Sequence, residues 1–343
     1  MASENIPVII GAGQVTKKEA SSVMGGSPVD LMAEAVKMAA EDGRLSRHFL
    51  EKADLLITTS LFTDDGIINP PGCVADQLNL SDARCMVSGF GGIMPHAMLR
   101  HALKAIAENS AGLVILTGAE AQHTMQQAKK SKTFNGWNRS SGRPGLAPLT
   151  PLGPFDGACE TEHIHGLSLP ATVYPMFENA LRRRYGRTVA DHTRKIGKLM
   201  NRLSQVAANN PMAWFQEAFT PKEITAVSDT NRNIAFPYTK RMNAMLFVNQ
   251  AAAHIVTSEK QARMMGVDPS KWVYVHGYAE ASDHWNVLER EAYGISPAIE
   301  IVGRTALNQA GVTIGDIDFF DLYSCFPLAV QGTRDMLAIA END

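Results

Sequence analysis

Four short runs that are apolar from end to end alternate with amphipathic helical patterns in the first 120 residues, and that alternation narrows the possible folds most. "PVIIGAGQV", "ADLLITTS", "ARCMVSG" and "GLVILTGAE" read as strands. Between them, "SPVDLMAEAVKMAAEDG" reads as a helix that starts at Ser27 and Pro28 and stops at Gly43; "PPGCVADQLNL" and "HAMLRHALKAIAENSAG" read as two more. Strands without a polar face need cover on both sides, so the pattern predicts an α/β fold with a parallel sheet between helical layers.

After Glu120 the alternation stops. Residues 121 to about 172 are polar and rich in Pro and Gly, and a mostly helical section follows, from "PMFENALRRRYG" to "DHTRKIGKLMNRLSQVAANNP". An excursion of that length between strands of one sheet reads as an inserted loop subdomain. The sheet pattern resumes at "NQAAAHIVTS", and a second alternation begins: strand "WVYVHGYAEA", helix "SPAIEIVGRTALNQAG", strand "IDFFDLYSCF", helix from Pro327. The expected organisation is a first half over 1–120, the insertion over 121–245, the last strand and helix of the first half over 246–270, and the start of a second, repeated half over 271–343. The second half shows two strands where the first shows four. It reads as incomplete, with "DFFDLY" exposed along an edge that would recruit a complementary chain or a second copy.

A formal charge of −3 without a basic block argues against nucleic acid or an anionic membrane as the main partner. No segment approaches the ~18 uninterrupted apolar residues of a membrane span, and no secretory pattern precedes the first strand. Cys73, Cys85, Cys159 and Cys325 form no CxxC pair, which fits reduced thiols in the cytoplasm. "CETEHIHG" gathers Glu160, Glu162, His163 and His165 but has neither helical i, i+4 ligand spacing nor a CxxC knuckle, so it reads as a hydrogen-bonding loop, with no metal expected.

"MVSGFGGIMPHAML", Met86 to Leu99, is the stretch with most chemical content. A strand end, glycines at 89, 91 and 92, and a helix start marked by Pro95 together make a corner whose backbone amides face whatever lies before the helix. Cys85 and Ser88 belong to the strand and read as buried. "GAGQVT" supplies Gly11 and Gly13 but has Thr16 where a dinucleotide fingerprint needs its third glycine, and the next helix starts about ten residues late. A strand-end turn is the expected reason for those two glycines.

Several of these stretches together resemble the thiolase superfamily. "SPAIEIVGRTALNQAGVTIGDIDFFDLYSCFPLAV" is similar to the thiolase second-half signature, with its "P-A" helix, "AG" stop, "DID" entry and a strand ending in a four-residue motif. "FPYTKRMNAMLFVNQAAAHIVTSEKQARMMG" is similar to the segment leading from the loop domain through "DGAAA" to a "SEE-AR" helix. The glycine corner stands where thiolases carry their nucleophile, and "LTGAE" matches the following "AGG-E" strand. Within the superfamily, "GFGGIMPHAM" and "YSCFPLAV" most resemble the sterol-carrier-protein-thiolase-like proteins and thiolase-like acetyl-CoA acetyltransferases.

The resemblance implies a thiolase-like fold of two repeated βαβαβ halves in layered α/β/α sheets, with the C-terminal part missing. It implies acyl-CoA or CoA as ligand, lipid metabolism as the setting, and no other cofactor. It places the nucleophile position at Gly91 or Gly92, so no thiol stands there. It aligns Tyr323, Ser324, Cys325 and Phe326 with the family's "HDCF" or "NEAF", whose first residue holds an oxyanion-hole water; Tyr323 would present a hydroxyl instead. Cys325 falls on a structural Ala or Cys position and Phe326 on a pocket wall. Lys240 and Arg241 lie near the family's CoA segment, and Arg182, Arg183, Arg184 and Arg187 form a further cationic run. Two functional classes follow: an acyltransferase of thiolase type, or a non-catalytic binder of CoA thioesters or partner subunit of another acyl-CoA enzyme.

Overall fold

The computed structural model describes residues 5–18, 26–62, 66–134, 136–149 and 157–340. Residues 1–4 before the first strand, residues 150–156 of the Pro/Gly-rich stretch and the last three residues of the chain lie outside them. The chain divides into two compact units, Met1–Pro151 with Leu246–Val275, and Leu152–Met245 with His276–Asp343.

The first unit holds a five-stranded sheet. In chain order its elements are β1 (Pro7–Thr16), α1 (Pro28–Asp42), β2 (Leu55–Thr58), α2 (Pro70–Leu78), β3 (Arg84–Val87), α3 (Met94–Ala107), β4 (Leu113–Ala121), α4 (Gln122–Lys130) and β5 (Asn249–Ser258). The spatial order is β1-β5-β4-β2-β3. Strand β2 pairs in parallel with both β3 and β4, whereas β5 runs antiparallel to β1 and β4. Four strands thus share a direction and β5 opposes them, which corrects the expected all-parallel sheet. An apolar run does not encode strand direction, but an antiparallel strand can leave one face open. In β5, buried Ala251 and Ala253 alternate with exposed Ala252 and His254.

Each face of the sheet has its own core. Val8, Ile10, Leu56, Ile115 and Ile255 pack with residues of α1 and α2, while Leu55, Ile57, Met86, Leu116 and Val256 pack with Met98 and Ile106 of α3. Each fully buried side chain of this kind contributes about 1.5–3 kcal/mol. Helix α1 begins at a reciprocal capping box between Ser27 and Asp30. A Cβ at Gly11 or Gly13 would come 2.1 Å from the carbonyl oxygens of Ala39 and Ala35. These glycines are therefore inside β1, where the α1 backbone lies against the strand, and not at a turn beyond it.

The second unit is built on helices α5 (Pro170–Arg184), α6 (Val189–Asn209), α7 (Pro297–Ala310) and α8 (Pro327–Met336). Neither "WVYVHGYAEA" nor "IDFFDLYSCF" is a strand: apart from a single bridge between Val273 and Ile9, these segments make no strand pairing among the described residues. A strand is defined by its neighbour's hydrogen bonds, and these runs have no such neighbour. Phe319 is 92% exposed. The expected loop at "CETEHIHG" contains a short helix, Glu160–Ile164, because Cys159 and Glu162 cap it reciprocally as Ser and Glu do elsewhere. Among the described residues no helix is long and apolar enough to cross a membrane.

Candidate functional site

In the first unit, local hydrogen bonds hold the corner after β3. Ser88 N–H donates to Thr58 O at 2.8 Å and Ser60 Oγ donates to Ser88 O at 2.5 Å, so the strand end is tied to the segment after β2. Gly91 has φ +144°, a conformation that side chains rarely adopt, and its carbonyl accepts the Met94 N–H at 3.1 Å to open α3. Among the described residues the amides of Phe90, Gly91, Gly92 and Ile93 donate to no protein group. With the positive end of α3 behind them, they suit an oxyanion or a polarised carbonyl.

The corner opens into a cavity of about 730 Å³ lined by residues of this unit alone. Phe62, Phe90, Met94, Met98, Leu246 and Phe247 give it an apolar wall, and Ala251 to Ala253 with Gly118 give it small residues on the sheet side. Phe62 and Phe90 meet at the mouth, with ring centroids 5.5 Å apart. Two hydroxyls within it are engaged: Ser60 as above, and Thr117 with Ala252 O at 2.9 Å. Glu120 accepts the Phe62 N–H. His254 also lines the cavity; part of its ring reaches solvent, yet it stands deep enough for burial to lower its pKa, which leaves a neutral imidazole at pH 7.

No cysteine lines this cavity. Cys85 is buried in the core on the α1 face, where its Sγ donates weakly to Ala83 O at 3.6 Å and burial raises its pKa. Ser88 is buried too and donates to Gly89 O at 2.9 Å. Gly91 and Gly92 line the cavity as expected of the corner. His254 went unnoticed in the sequence because a histidine in an alanine-rich strand carries no motif; only the alternation of β5 marks its face.

In the second unit, the Tyr323, Ser324, Cys325 and Phe326 motif leads into α8. The hydroxyls of Tyr323 and Tyr174 both lie beside the Cys325 thiol. Burial raises the Cys325 pKa, and burial with the bond to Cys325 pushes Tyr323 up to about 12, so all three are protonated at neutral pH. Ser324 is exposed. Phe326 is buried and stacks with Tyr174 at 4.4 Å and with Tyr238 at 5.7 Å between centroids.

Behind that stack lies a polar network that the sequence did not announce. The Glu178 carboxylate, fully buried, accepts from Tyr238 Oη at 2.6 Å, His192 Nε2 at 2.6 Å and Gln331 Nε2 at 3.1 Å. Both carboxyl oxygens of Glu178 are thus engaged by side chains from elsewhere in the unit. Of the cations, Lys240 is exposed on a short 3-10 turn, whereas Arg241 lies over the Phe219 ring at 4.1 Å and donates to Glu223 O at 3.0 Å. The arginine run is divided: Arg182 donates to Arg187 O, Arg187 lies 4.1 Å over Tyr185, and Arg183 and Arg184 are exposed. Among the described residues no group of three or more His, Cys, Asp and Glu is placed to hold a metal ion.

No protein-family model and no curated protein matches this chain. Solved structures do. A monomeric SCP2-thiolase like protein type 1 from Mycobacterium smegmatis matches over 100% of this chain at 30% identity with a TM-score of 0.81, and the chain covers 65% of that protein's length. The Ltp2–ChsH2(DUF35) aldolase matches over 99% of this chain and 78% of its own at 22% identity, with a TM-score of 0.73. An acetyl-CoA acetyltransferase from Syntrophomonas wolfei matches over 98% and 83% at 16% identity, with a TM-score of 0.61. A chain with this sheet order and glycine corner, matched over 98–100% of its length by these proteins, has the thiolase-like fold.

Proposed function

We propose that this chain binds acyl-CoA thioesters in the cavity at the glycine corner and does not carry the acyl group on itself. The observation that supports this reading is a corner with unengaged amides opening into an apolar cavity that no cysteine lines. Acyl transfer through the enzyme needs a nucleophile within reach of the thioester carbonyl; binding and polarising that carbonyl needs only donors. Calorimetry with acetyl-CoA and longer acyl-CoAs, alongside intact mass after incubation, tests the reading. Saturable binding with no mass adduct is expected; a stoichiometric acyl adduct overturns it in favour of thiolase-type transfer.

The likeness to the Ltp2–ChsH2(DUF35) aldolase favours a second reading, in which the chain works with a partner chain in making or breaking a carbon–carbon bond. Aldol chemistry needs a base and a stabilised oxyanion but no acyl-enzyme, so it is compatible with glycine at the nucleophile position. Gain of carbon–carbon cleavage only in the presence of a co-purified partner chain is its test.

A further inference from the structure

The cavity at the corner is much larger than an acetyl group requires. At about 730 Å³ it is in the range of pockets that enclose a drug-sized ligand. At one end are the amides of the corner after β3. At the other is His254 on β5, which pairs with Leu116 of β4 and with Ala12 of β1. From β5 the sheet passes through β4 and β2 to β3, three strand spacings, or about 14 Å to the side at 4.7–4.9 Å each. The wall along that path is apolar: Phe62, Met94, Met98, Leu116 and Phe247. Along it the side chains of Ser60, Thr117 and Glu120 already have protein partners.

His254 has no such commitment; among the lining residues Gln122 too keeps a buried Nε2 without a partner, at the start of α4 beyond the β4 end. Burial alone lowers its pKa, with no charged group or hydrogen bond contributing. A neutral imidazole offers one donor and one acceptor, a match for a hydroxyl or a ketone and not for a charge.

Resting on the thioester reading above, we infer that His254 is a specificity-determining residue that hydrogen-bonds a hydroxyl or keto group at the far end of a long apolar acyl chain whose carbonyl lies at the corner. The ligand class is an acyl thioester with a hydrocarbon body that spans the cavity and an uncharged polar group at its tip.

The test is calorimetry on the full chain with two thioesters that differ only at the tip, dodecanoyl-CoA and 12-hydroxydodecanoyl-CoA. The hydroxylated chain is expected to bind about 2- to 10-fold more tightly, the range of one net hydrogen bond. His254→Phe should abolish that preference while dodecanoyl-CoA affinity is kept, and His254→Gln should restore part of it. Dodecanoyl-CoA binding without discrimination, or a preference that survives in His254→Phe, overturns the inference and leaves the thioester reading standing. If neither thioester binds, both fall.

Discussion

The glycine corner of the first unit and the tyrosine motif of the second present polar groups in opposite ways. At Gly89 to Gly92 the donors are backbone amides, left over where a strand becomes a helix and surrounded by apolar side chains. At Tyr323 to Phe326 the polar groups are side chains, and the motif is held from behind by a buried carboxylate that takes three hydrogen bonds. A site built from backbone survives almost any change of neighbouring side chain that preserves the turn. One built on a buried carboxyl group depends on every partner, because a polar group in a protein interior is tolerated only while its hydrogen bonds are complete.

The largest expected effect follows from that contrast. Glu178→Ala leaves Tyr238, His192 and Gln331 without their common acceptor and opens a space between α5, α6 and α8. Unfolding in urea should show a loss of about 3–5 kcal/mol. Tyr238→Phe, which removes one donor and keeps the ring stacked on Phe326, should cost far less. Equal losses for the two would mean that the Tyr238 hydroxyl alone carries what the carboxyl group contributes.

Glu162 offers a second, smaller break in the same unit. Its burial raises the pKa, but the N–H groups of Leu288, Cys159 and Val287 outweigh that and leave it below the ordinary glutamate value of 4.5. A folded-state pKa below the unfolded one gives stability that is complete above pH 4.5 and is lost as pH falls through the folded value. Glu162→Ala should therefore cost about 1.5–3 kcal/mol at pH 7, with the gap from the unaltered protein closing on acidification toward pH 3 in urea titrations. A gap independent of pH would show that Glu162 contributes by packing alone.

The corner should respond differently. Gly91→Ala places a Cβ on a residue with φ +144° and should cost on the order of 1 kcal/mol in stability. Its larger effect should be on acyl-CoA affinity, because the turn that sets the amides is disturbed. Stability and affinity falling in proportion would remove the distinction between the two regions.

The same contrast explains what the sequence could disclose. The corner was legible because its determinants are local: three glycines and Pro95 within seven residues, after an apolar strand. The α1 cap at Ser27 was legible for the same reason. The direction of β5 was not, since the apolar run at its end reads alike in either orientation and its neighbours are set by contacts over more than 100 residues. The Glu178 network was hidden for the same cause: its partners lie 14, 60 and 153 residues away in the chain. The strands expected at 272–281 and 317–326 failed differently, because an apolar run can satisfy every local rule and still lack the neighbour that makes it a strand. His254 falls between these cases, as its face could be read from alternation but its place beside the cavity could not.

The smallest effect tests the tyrosine motif most directly. Burial disfavours the Cys325 thiolate more than the neighbouring Tyr323 and Tyr174 hydroxyls favour it, so the thiol titrates above the ordinary 9.0. In a Cys159→Ser background, where Cys73 and Cys85 are buried, iodoacetamide should alkylate Cys325 slowly at pH 7.5, with a rate that climbs through a midpoint above 9.0. Tyr323→Phe removes one hydroxyl beside the sulfur, raising the pKa further and slowing alkylation by about two- to three-fold at fixed pH, the size of a weak hydrogen bond. A Cys325 that reacts at pH 7 as fast as an activated thiol would reverse the comparison. The second unit would then hold the nucleophile that the corner lacks, and an acyl adduct on Cys325 would be the next thing to look for.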